Sequence, residues 1–302
     1  MDNICRILLT DEEVEHFVTG ILEIRDTRQK RKAINQITAA ERNISTYDNY
    51  QTLLHRENRD FEWRDEQKRE LLRSQIIEEL FTLMRLDDDD KIKLGRGGAL
   101  PKTQVKSEKK LIYIIGPPAA GKSGIASKIA DLYGAVLLDS DFAKRKLPEY
   151  CNQIGAASLV HEESSEIIFN TKKDSLMSRC LTSKYNIVIP KIGDNIDGII
   201  SFCKDMSHSG YKIFLVSVDL DRQEATKRAY YRYKKSGRYV PLSLIFDKYG
   251  NQPTLNYFRL KQLHFSLFCG FAQFSTSVPI GASPLCFETI NMNELERIKW
   301  EN

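Results

Sequence analysis

The first part of the chain has the hydrophobic pattern of several helices. No proline occurs between Thr10 and Leu86, and Glu, Arg, Gln and Leu are frequent there. Apolar residues recur at the spacing of one helical face in a stretch formed by Val14, Phe17, Val18, Ile21 and Leu22. Thr10 and Asp65 each precede a charged run and are typical helix N-caps. We therefore expect residues 1–90 to form an all-helical N-terminal region.

A change of composition follows this region. Residues 87–109 contain the acidic run DDDDK and then LGRGGALPKTQ, in which glycines and a proline break any helix and no apolar periodicity remains. An acidic run of this kind is either a site for an ion or a partner or, more often, a solvated linker. We place a linker at residues 91–109 and a second domain at residues 110–302.

Beyond the linker, short apolar runs alternate with helical patterns. Four runs are typical of buried strands: residues 110–115, 135–138, 185–189 and 211–218. Strands that alternate with helices predict an α/β domain with a parallel sheet flanked by helices. The stretch from residue 265 to residue 290 is less regular, and a further strand or hairpin is expected around CFETI.

One glycine-rich segment carries a phosphate-binding motif. Gly116-Pro-Pro-Ala-Ala-Gly-Lys122-Ser123 matches G-x-x-x-x-G-K-[ST] and lies between a predicted strand and a predicted helix, as the motif requires. Successive N–H groups of such a loop point at phosphate oxygens, the lysine reaches the β- and γ-phosphates, and the serine binds Mg²⁺. The expected cofactors are therefore ATP and Mg²⁺. The expected ATP-binding residues are Gly116, Pro117, Pro118, Ala119, Ala120, Gly121, Lys122, Ser123 and Gly124.

Two carboxylates follow the second predicted strand. A P-loop alone occurs in GTPases, ATPases, motor domains and kinases, so the acceptor side has to decide among them. Asp139 and Asp141 stand in LLDSDFAKRKLPEY where open α/β sheets bind ligands, and strand alternation places both on one side. A solvated turn or a helix cap is the plainer interpretation. Behind a P-loop, we expect both to bind substrate, Asp139 also to bind Mg²⁺ with Ser123, and Asp141 to accept a hydroxyl proton.

A basic segment follows the fourth predicted strand. Arg228, Arg232 and Arg238 stand in ATKRAYYRYKKSGRYVP. Arginines on a helix and loop near the phosphates neutralise charge on the transferred group, and Arg228 and Arg238 are the expected pair. A solvated helix face or a nucleic-acid patch with interleaved tyrosines is the alternative. His161 and Asp174 are expected to face the acceptor, although each also suits a structural role.

Composition and charge limit the classes of partner. The net charge of +4 comes from 45 basic and 41 acidic residues, a near balance that requires neither a nucleic acid nor a membrane. Six cysteines lack the paired spacing of a zinc site or a disulfide framework. No stretch has the pattern of a signal peptide or reaches the ~18 apolar residues of a spanning helix. We expect a cytoplasmic protein.

Five segments together resemble a known family. In order and spacing, GPPAAGKS, LLDSDFAKRKLPEY, YNIVIPKIG, YKIFLVSVDL and KRAYYRYKKSGRYVP resemble the zeta toxin family over roughly residues 110–245. The resemblance implies a P-loop kinase of a toxin–antitoxin system, whose best-known members phosphorylate the 3′-hydroxyl of the sugar in UDP-N-acetylglucosamine.

The resemblance also implies roles for individual residues. It makes Asp141 the general base and Lys144 the basic residue of the substrate-binding Asp-x-Asp turn. Arg228 and Arg238 would be the charge-stabilising arginines. Asp174 would be the substrate-binding acid on the helix before the third strand, with Asp in place of the usual Glu.

One departure from the family keeps the acceptor open. Lys191-Ile192 replaces a Gly-Thr segment after the third strand and removes a hydroxyl that contacts the nucleotide-sugar. The acceptor is then either a nucleotide-sugar or a nucleoside, a dinucleotide such as NAD, or a polynucleotide 5′-end. A nucleotide-dependent nucleic-acid-binding switch is the alternative without phosphoryl transfer.

The resemblance further implies an inhibitory partner. In the family a separate helical antitoxin obstructs the ATP site. An antitoxin is therefore expected either in trans or in cis, as a module formed by residues 1–90. A helical cap that only supports the kinase core is the alternative function of these residues.

Overall fold

The N-terminal part of the structure is helical, as the sequence predicts. The computed structural model describes residues 5–47, 51–151, 155–279 and 281–298. Three long helices come first: α1 (Asp11–Gly20), α2 (Thr27–Tyr47) and α3 (Glu66–Thr82). The side chain of Thr10 accepts a hydrogen bond from Glu13 N in a capping box at α1, and Asp65 accepts one from Lys68 N at α3. Both predicted N-caps are confirmed.

A six-stranded sheet forms the centre of the remaining chain. Its strands are β1 (Lys110–Ile115), β2 (Val136–Leu137), β3 (Ile187–Lys191), β4 (Lys212–Asp219), β5 (Gly270–Ser275) and β6 (Leu285–Ile290). Their order is β2-β3-β1-β4-β5-β6, with β6 antiparallel to β5 and every other pair parallel. The four predicted strands are confirmed, and the strand expected at CFETI is β6. The sequence analysis missed β5, because GFAQFS interrupts its apolar residues with polar ones.

Helices flank this sheet, so the α/β prediction is confirmed. The helices after α3 in the described chain are α4 (Lys122–Tyr133), α5 (Ser140–Lys146), α6 (Ala156–Leu159), α7 (His161–Phe169), α8 (Leu176–Thr182), α9 (Ile196–His208), α10 (Arg222–Ser236) and α11 (Gln252–Leu263). α4 packs on β3, whereas α9 and α11 pack on β4. The central strands β1 and β4 are buried along nearly their whole length, as covered parallel strands are. Within the described residues, no helix combines the length and apolarity needed to cross a membrane.

The segment between α3 and β1 lies against both neighbours. Ala99 O accepts a hydrogen bond from Leu137 N of β2 at 2.9 Å. Gly98 approaches the end of α3 so closely that a Cβ atom would lie 2.0 Å from Leu83 O, and only glycine fits there. Backbone contacts therefore tie part of the expected linker, residues 91–109, to the sheet. The division into two domains stays a prediction.

A buried ion-pair network joins α3 to the chain around α7. Arg69 is fully buried and donates to Glu149 Oε1 and Oε2 at 2.8 and 3.0 Å. It also donates to Glu163 Oε1 and Oε2 at 2.7 and 2.6 Å, and Thr52 donates to the latter oxygen at 2.6 Å. Burial opposes ionisation of Glu163, but Arg69 outweighs it and lowers the pKa of Glu163 to about 2. The network is therefore charged, paired and inaccessible to solvent.

Candidate active site

The phosphate loop is shaped by its glycines and anchored by two strands. Gly116 follows β1, and a Cβ atom on it would lie 2.3 Å from Val218 O of β4. Gly121 has φ 77° and directly precedes α4, which begins at Lys122. Gly116 N donates to Ile192 O at 3.0 Å, and Thr276 Oγ1 donates to Ala120 O at 2.9 Å. The loop thus lies at the carboxyl ends of β1, β3 and β5, directly before the N-terminus of α4.

Lys122 lies over this loop. Its Nζ donates to Gly116 O and Pro117 O, each at 2.7 Å. No carboxylate of the described residues lies within ion-pair distance, and burial lowers the pKa of Lys122 to about 7. A phosphate would supply the missing counter-charge, and the neighbouring Ser123 is exposed at the start of the same helix. This part of the site fits a nucleotide phosphate.

The two predicted carboxylates lie at the start of α5 and have different environments. Asp139 is the N-cap of α5 and accepts a hydrogen bond from Asp141 N at 2.9 Å. The expectation that strand alternation places both carboxylates on one side is wrong, because β2 already ends at Leu137. Burial and the neighbouring Asp141 raise the pKa of Asp139 to about 6. Burial would also raise the pKa of Asp141, but Arg238 and Lys144 outweigh it and hold that pKa below its usual range. Asp141 is therefore an ionised carboxylate.

Asp141 is held by two cations from different parts of the chain. Lys144 Nζ lies 3.1 Å from Asp141 Oδ1 and comes from the next turn of α5. Arg238 contacts Asp141 Oδ2 and comes from the segment after α10, directly beyond the C-cap residue Gly237 with φ 72°. Asp141 acts to raise the pKa of Lys122 and Arg238 acts to lower it, so both charged groups lie near Lys122. The structure thus brings together three groups that the sequence analysis selected: Lys122, Asp141 and Arg238.

Arg232 lies nearer to this centre than the sequence analysis expected. Its Nε is buried without a hydrogen-bond partner. Burial and the adjacent Arg238 lower the pKa of Arg232 to about 10. A buried guanidinium nitrogen that lacks a partner costs free energy, which an anionic ligand would recover. Arg232 is therefore suited to bind a phosphate group.

Arg228 has partners away from Asp141. Its Nε donates to Glu224 Oε1 at 3.0 Å, and one Nη donates to Thr276 O and Val278 O, each at 2.9 Å. Thr276 in turn bonds to Ala120 of the phosphate loop. Arg228 thus supports the segment that borders the loop, and the structure does not bring it to the carboxylates.

His161 and Asp174, both expected at the acceptor, lie in different surroundings. His161 begins α7, and partial burial together with Lys144 and Lys191 lowers its pKa, while Asp141 opposes this effect. His161 is thus close to the carboxylate site. Asp174 precedes Ser175, the N-cap of α8, and therefore lies outside the helix on which it was expected. Both of its carboxylate oxygens accept from Arg179 at 2.8 Å.

Lys191, which the sequence analysis named only as a departure from the family, lies beside a cavity that the sequence did not predict. Lys191 ends β3, and its Nζ lies 3.6 Å from the centroid of the Phe169 ring. Burial lowers its pKa to about 8, and Asp139 opposes this effect. The cavity has a volume of about 490 Å³ and is lined mainly by apolar side chains; its lining includes Lys191, Tyr113, Phe169, Met177, Phe202 and Met206. A lysine at the carboxyl end of a predicted strand was the available signal.

The residues present fit an ATP–magnesium complex. Among the described residues, no cluster of three or more His, Cys, Asp or Glu side chains resembles a closed metal site. Mg²⁺ does not need one, because it usually keeps several waters and binds one or two protein oxygens plus substrate phosphates. Ser123 and Asp139, which the sequence analysis selected, offer such oxygens.

The fold and the site define a class of protein. A phosphate-binding loop between the first strand and the following helix of a mostly parallel sheet is the arrangement of P-loop proteins with a kinase-type fold. Residues 98–253 match the family model described as zeta toxin. Because this match covers just over half of the 302 residues, the chain belongs to the zeta toxin family. The resemblance seen in the sequence is confirmed.

Solved structures also resemble the chain. The PezAT chromosomal toxin–antitoxin system of Streptococcus pneumoniae aligns at 13% identity with a TM-score of 0.48, over 65% of this chain and 79% of that chain. The AvrRxo1-ORF1:-ORF2 complex aligns at 17% identity and TM-score 0.47, over 82% and 75% of the two chains. The same complex with ATP aligns at 18% identity and TM-score 0.47, over 77% and 72%. No curated protein matches the chain by sequence.

Proposed function

We propose that the protein transfers the γ-phosphate of ATP to a hydroxyl group of a small-molecule acceptor. The observation that supports this most is the proximity of a phosphate-loop lysine, Lys122, to an ionised carboxylate, Asp141, with Arg238 beside both. Phosphoryl transfer depends mainly on positioning and on neutralising the charge of the transferred group. The site offers a phosphate cradle, cations and a proton acceptor at one edge of the sheet.

Each side chain takes a role that its surroundings support. Lys122 leaves the carbonyl oxygens of Gly116 and Pro117 to bind the β- and γ-phosphates, and Arg232 and Arg238 neutralise the transferred group. As charge develops on the transferred group, Arg238 turns toward it, which weakens its ion pair with Asp141 and raises the pKa of Asp141. Asp141 then orients the acceptor hydroxyl and takes its proton. Mg²⁺, held by Ser123 and Asp139, would supply further charge neutralisation at the phosphates.

The proposed acceptor is a nucleotide-sugar such as UDP-N-acetylglucosamine, as membership of the family suggests. Lys191 supports an acceptor that carries negative charge, because its ammonium group has no carboxylate within ion-pair distance in the described chain. The aromatic rings of the adjacent cavity suit a ring-bearing group. A dinucleotide such as NAD or a polynucleotide 5′-end also carries both negative charge and a ring, whereas an uncharged nucleoside carries only the ring.

An inhibitory partner is proposed on the basis of family membership. The family is named for toxins, and the similar PezAT structure belongs to a toxin–antitoxin system. We propose that this antitoxin acts in trans, as a separate chain. The alternative is an inhibitory module in cis, formed by residues 1–90. Growth arrest on expression of the chain, and its relief by a co-expressed antitoxin, would support an inhibitor in trans.

An acceptor screen with γ-labelled ATP tests the proposed reaction. The full-length chain should label at least one nucleotide-class acceptor. Asp141→Asn should abolish transfer and leave the Kd for ATP within about threefold, because the carboxylate acts on the acceptor. Lys122→Met should instead weaken ATP binding strongly. Asp197→Asn removes an exposed acid from the first turn of α9 and serves as the matched control.

Two results would contradict the proposal. Undiminished turnover by Asp141→Asn would remove the carboxylate from the reaction. Absence of any labelled product, together with steeply salt-dependent binding of nucleic acid, would favour the nucleotide-dependent switch.

A further inference from the structure

We propose that helix α2, which lies outside the residues matched by the family, positions the active-site arginine Arg238 through a contact between Glu41 and Tyr239. Glu41 is a positioning residue in this proposal, since it does not touch the reacting groups. The inference rests on the proposed phosphoryl transfer, and it makes the N-terminal region a requirement for activity.

The contact joins residues 198 positions apart in the chain. Tyr239 Oη donates to Glu41 Oε1 at 2.5 Å, and Tyr239 is 3% exposed. The backbone N–H of Leu242 lies near the Glu41 carboxylate and acts to lower its pKa. One side chain of α2 therefore contacts the segment formed by residues 239–242. Arg238 is covalently attached to the first residue of this segment.

The segment that carries Arg238 has little structure of its own. α10 ends at Ser236, Gly237 has φ 72°, and residues 237–241 belong to neither a helix nor a strand. A second contact with α2 holds the preceding turn, because Tyr233 donates to Gln36 O at 3.4 Å and packs edge-on against Tyr239 with ring centroids 4.8 Å apart. Tyrosine side chains on both sides of Arg238 in the chain thus contact α2.

A carboxylate in the partly buried environment of Glu41 is unusual for a residue whose role is packing alone. Burial raises its pKa, and its hydrogen bonds with Tyr239 and Leu242 only partly offset this effect. No Lys or Arg of the described residues lies within ion-pair distance of it. An apolar residue would cost less free energy at such a position. A carboxylate is favoured where two donors have to be held at a defined place.

Positioning matters here because Arg238 has two tasks. It contacts Asp141 in this structure, and in the proposed reaction it moves to the transferred phosphate. A guanidinium fixed at its backbone makes that short movement without losing the direction of its donors, whereas a displacement of about 1 Å costs about 100-fold in rate. The same contact distinguishes α2 from an inhibitory module, because it supports a group needed for catalysis.

A double-mutant cycle tests this inference. Glu41→Ala, Glu41→Gln and Tyr239→Phe are each combined with Arg238→Ala, and kcat, the KM for acceptor and the Kd for ATP are measured. If Glu41 acts through Arg238, Glu41→Ala should lower kcat about tenfold in the native background and have no further effect in the Arg238→Ala background. The Kd for ATP should not change, and the conservative Glu41→Gln should retain more activity than Glu41→Ala.

Glu23→Gln is the matched control. It removes another ion pair between the N-terminal region and α10, with Lys227, which lies outside the 239–242 segment. We expect its kcat to stay within about twofold of the native value, because a surface pair contributes little.

Hydrogen exchange provides a readout that does not depend on activity. Amides of residues 238–243, including Leu242, should exchange faster in Glu41→Ala than in Glu23→Gln. Equal exchange, or effects of Glu41→Ala and Arg238→Ala that multiply, would overturn the inference. If Glu41→Ala does not fold, Tyr239→Phe and Glu41→Gln decide it by the same criteria. If the native chain transfers no phosphate, the proposed reaction fails, while faster exchange in Glu41→Ala still supports the positioning contact.

Discussion

The proposed donor half and the proposed acceptor half of the site are built in different ways. The donor half is a single stretch, Gly116–Ser123, in which backbone conformation and the start of α4 create the phosphate cradle. The acceptor half combines side chains from α5, from the end of β3 and from the segment after α10, with support from α2. The first depends on local sequence, and the second depends on contacts between distant parts of the chain.

This difference has a consequence for mutational sensitivity. A backbone cradle changes little when neighbouring side chains are replaced, provided that its glycines remain. Side chains that are held by long-range contacts lose their geometry when a remote supporting residue changes. We therefore expect substitutions on the acceptor side to reduce kcat or to raise the KM for acceptor, and substitutions that touch the loop to reduce ATP binding. The predictions below test this separation, in order of decreasing effect.

The largest effect should separate two arginines that the sequence treats alike. Arg238→Ala should lower kcat by about 100- to 1000-fold with little change in ATP binding, because it removes a donor aimed at the transferred group. Arg228→Ala should raise the KM for ATP by about tenfold and change kcat less, because Arg228 holds the segment that contacts Ala120. Steady-state kinetics of both variants measure this. If Arg228→Ala lowered kcat more than Arg238→Ala does, Arg228 and not Arg238 would be the main charge-neutralising residue.

An intermediate effect should reveal the charge of the acceptor. Lys191→Met should raise the KM for a phosphate-bearing acceptor about tenfold, because a half-buried ammonium forms charge-assisted hydrogen bonds. The KM for an uncharged nucleoside should not change. Lys184→Met, at an exposed position before β3, is the control. Equal KM changes for charged and uncharged acceptors would remove Lys191 from acceptor recognition.

The smallest effect concerns stability and pH. The pKa of Asp139 is raised to about 6 in the folded protein, so the folded state binds a proton that the unfolded state releases between about pH 4 and 6. Ionised Asp139 therefore destabilises the fold above pH 6 and not below pH 4. Asp139→Asn keeps the cap acceptor and should raise the free energy of unfolding by about 1 to 2 kcal/mol at pH 7.5, with little change at pH 4.

Urea denaturation at the two pH values measures this difference. Asp197→Asn, which changes an exposed acid, should show no such pH dependence. An Asp139→Asn variant that is equally stabilised at both values would assign the effect to packing. A stabilised but inactive variant would be typical of a functional site, where charge is kept at a cost in stability.

The strand, loop and helix of the proposed donor half were predictable because all of their information is local. The motif, the strand before it and the helix after it occupy one short stretch, and the structure places them as expected. Asp139, Asp141 and Lys144 were also within reach of local reasoning. Their exact placement was not, because β2 ends at Leu137, one residue before the predicted end, and Asp139 becomes a helix cap.

The acceptor half was less accessible from the sequence. Arg228 and Arg232 are four positions apart and face similar directions on α10, and only the carbonyl groups of Thr276 and Val278 decide that Arg228 turns away. The partnership of Glu41 with Tyr239 has no local pattern at all. Asp174 was misplaced because the capping box of Ser175 and Ser178 starts α8 at Leu176, two residues after Asp174.

The ion pairs of Arg69 imply that the residues matched by the family model do not form a stable protein by themselves. A fragment that begins at residue 98, where the family match begins, lacks the fully buried cation that pairs with both Glu149 and Glu163. The two acids would then face each other across an empty space without this counter-ion. We expect such a fragment to be insoluble or rapidly degraded in cells. Expression of the family-matched residues alone should therefore yield no functional protein.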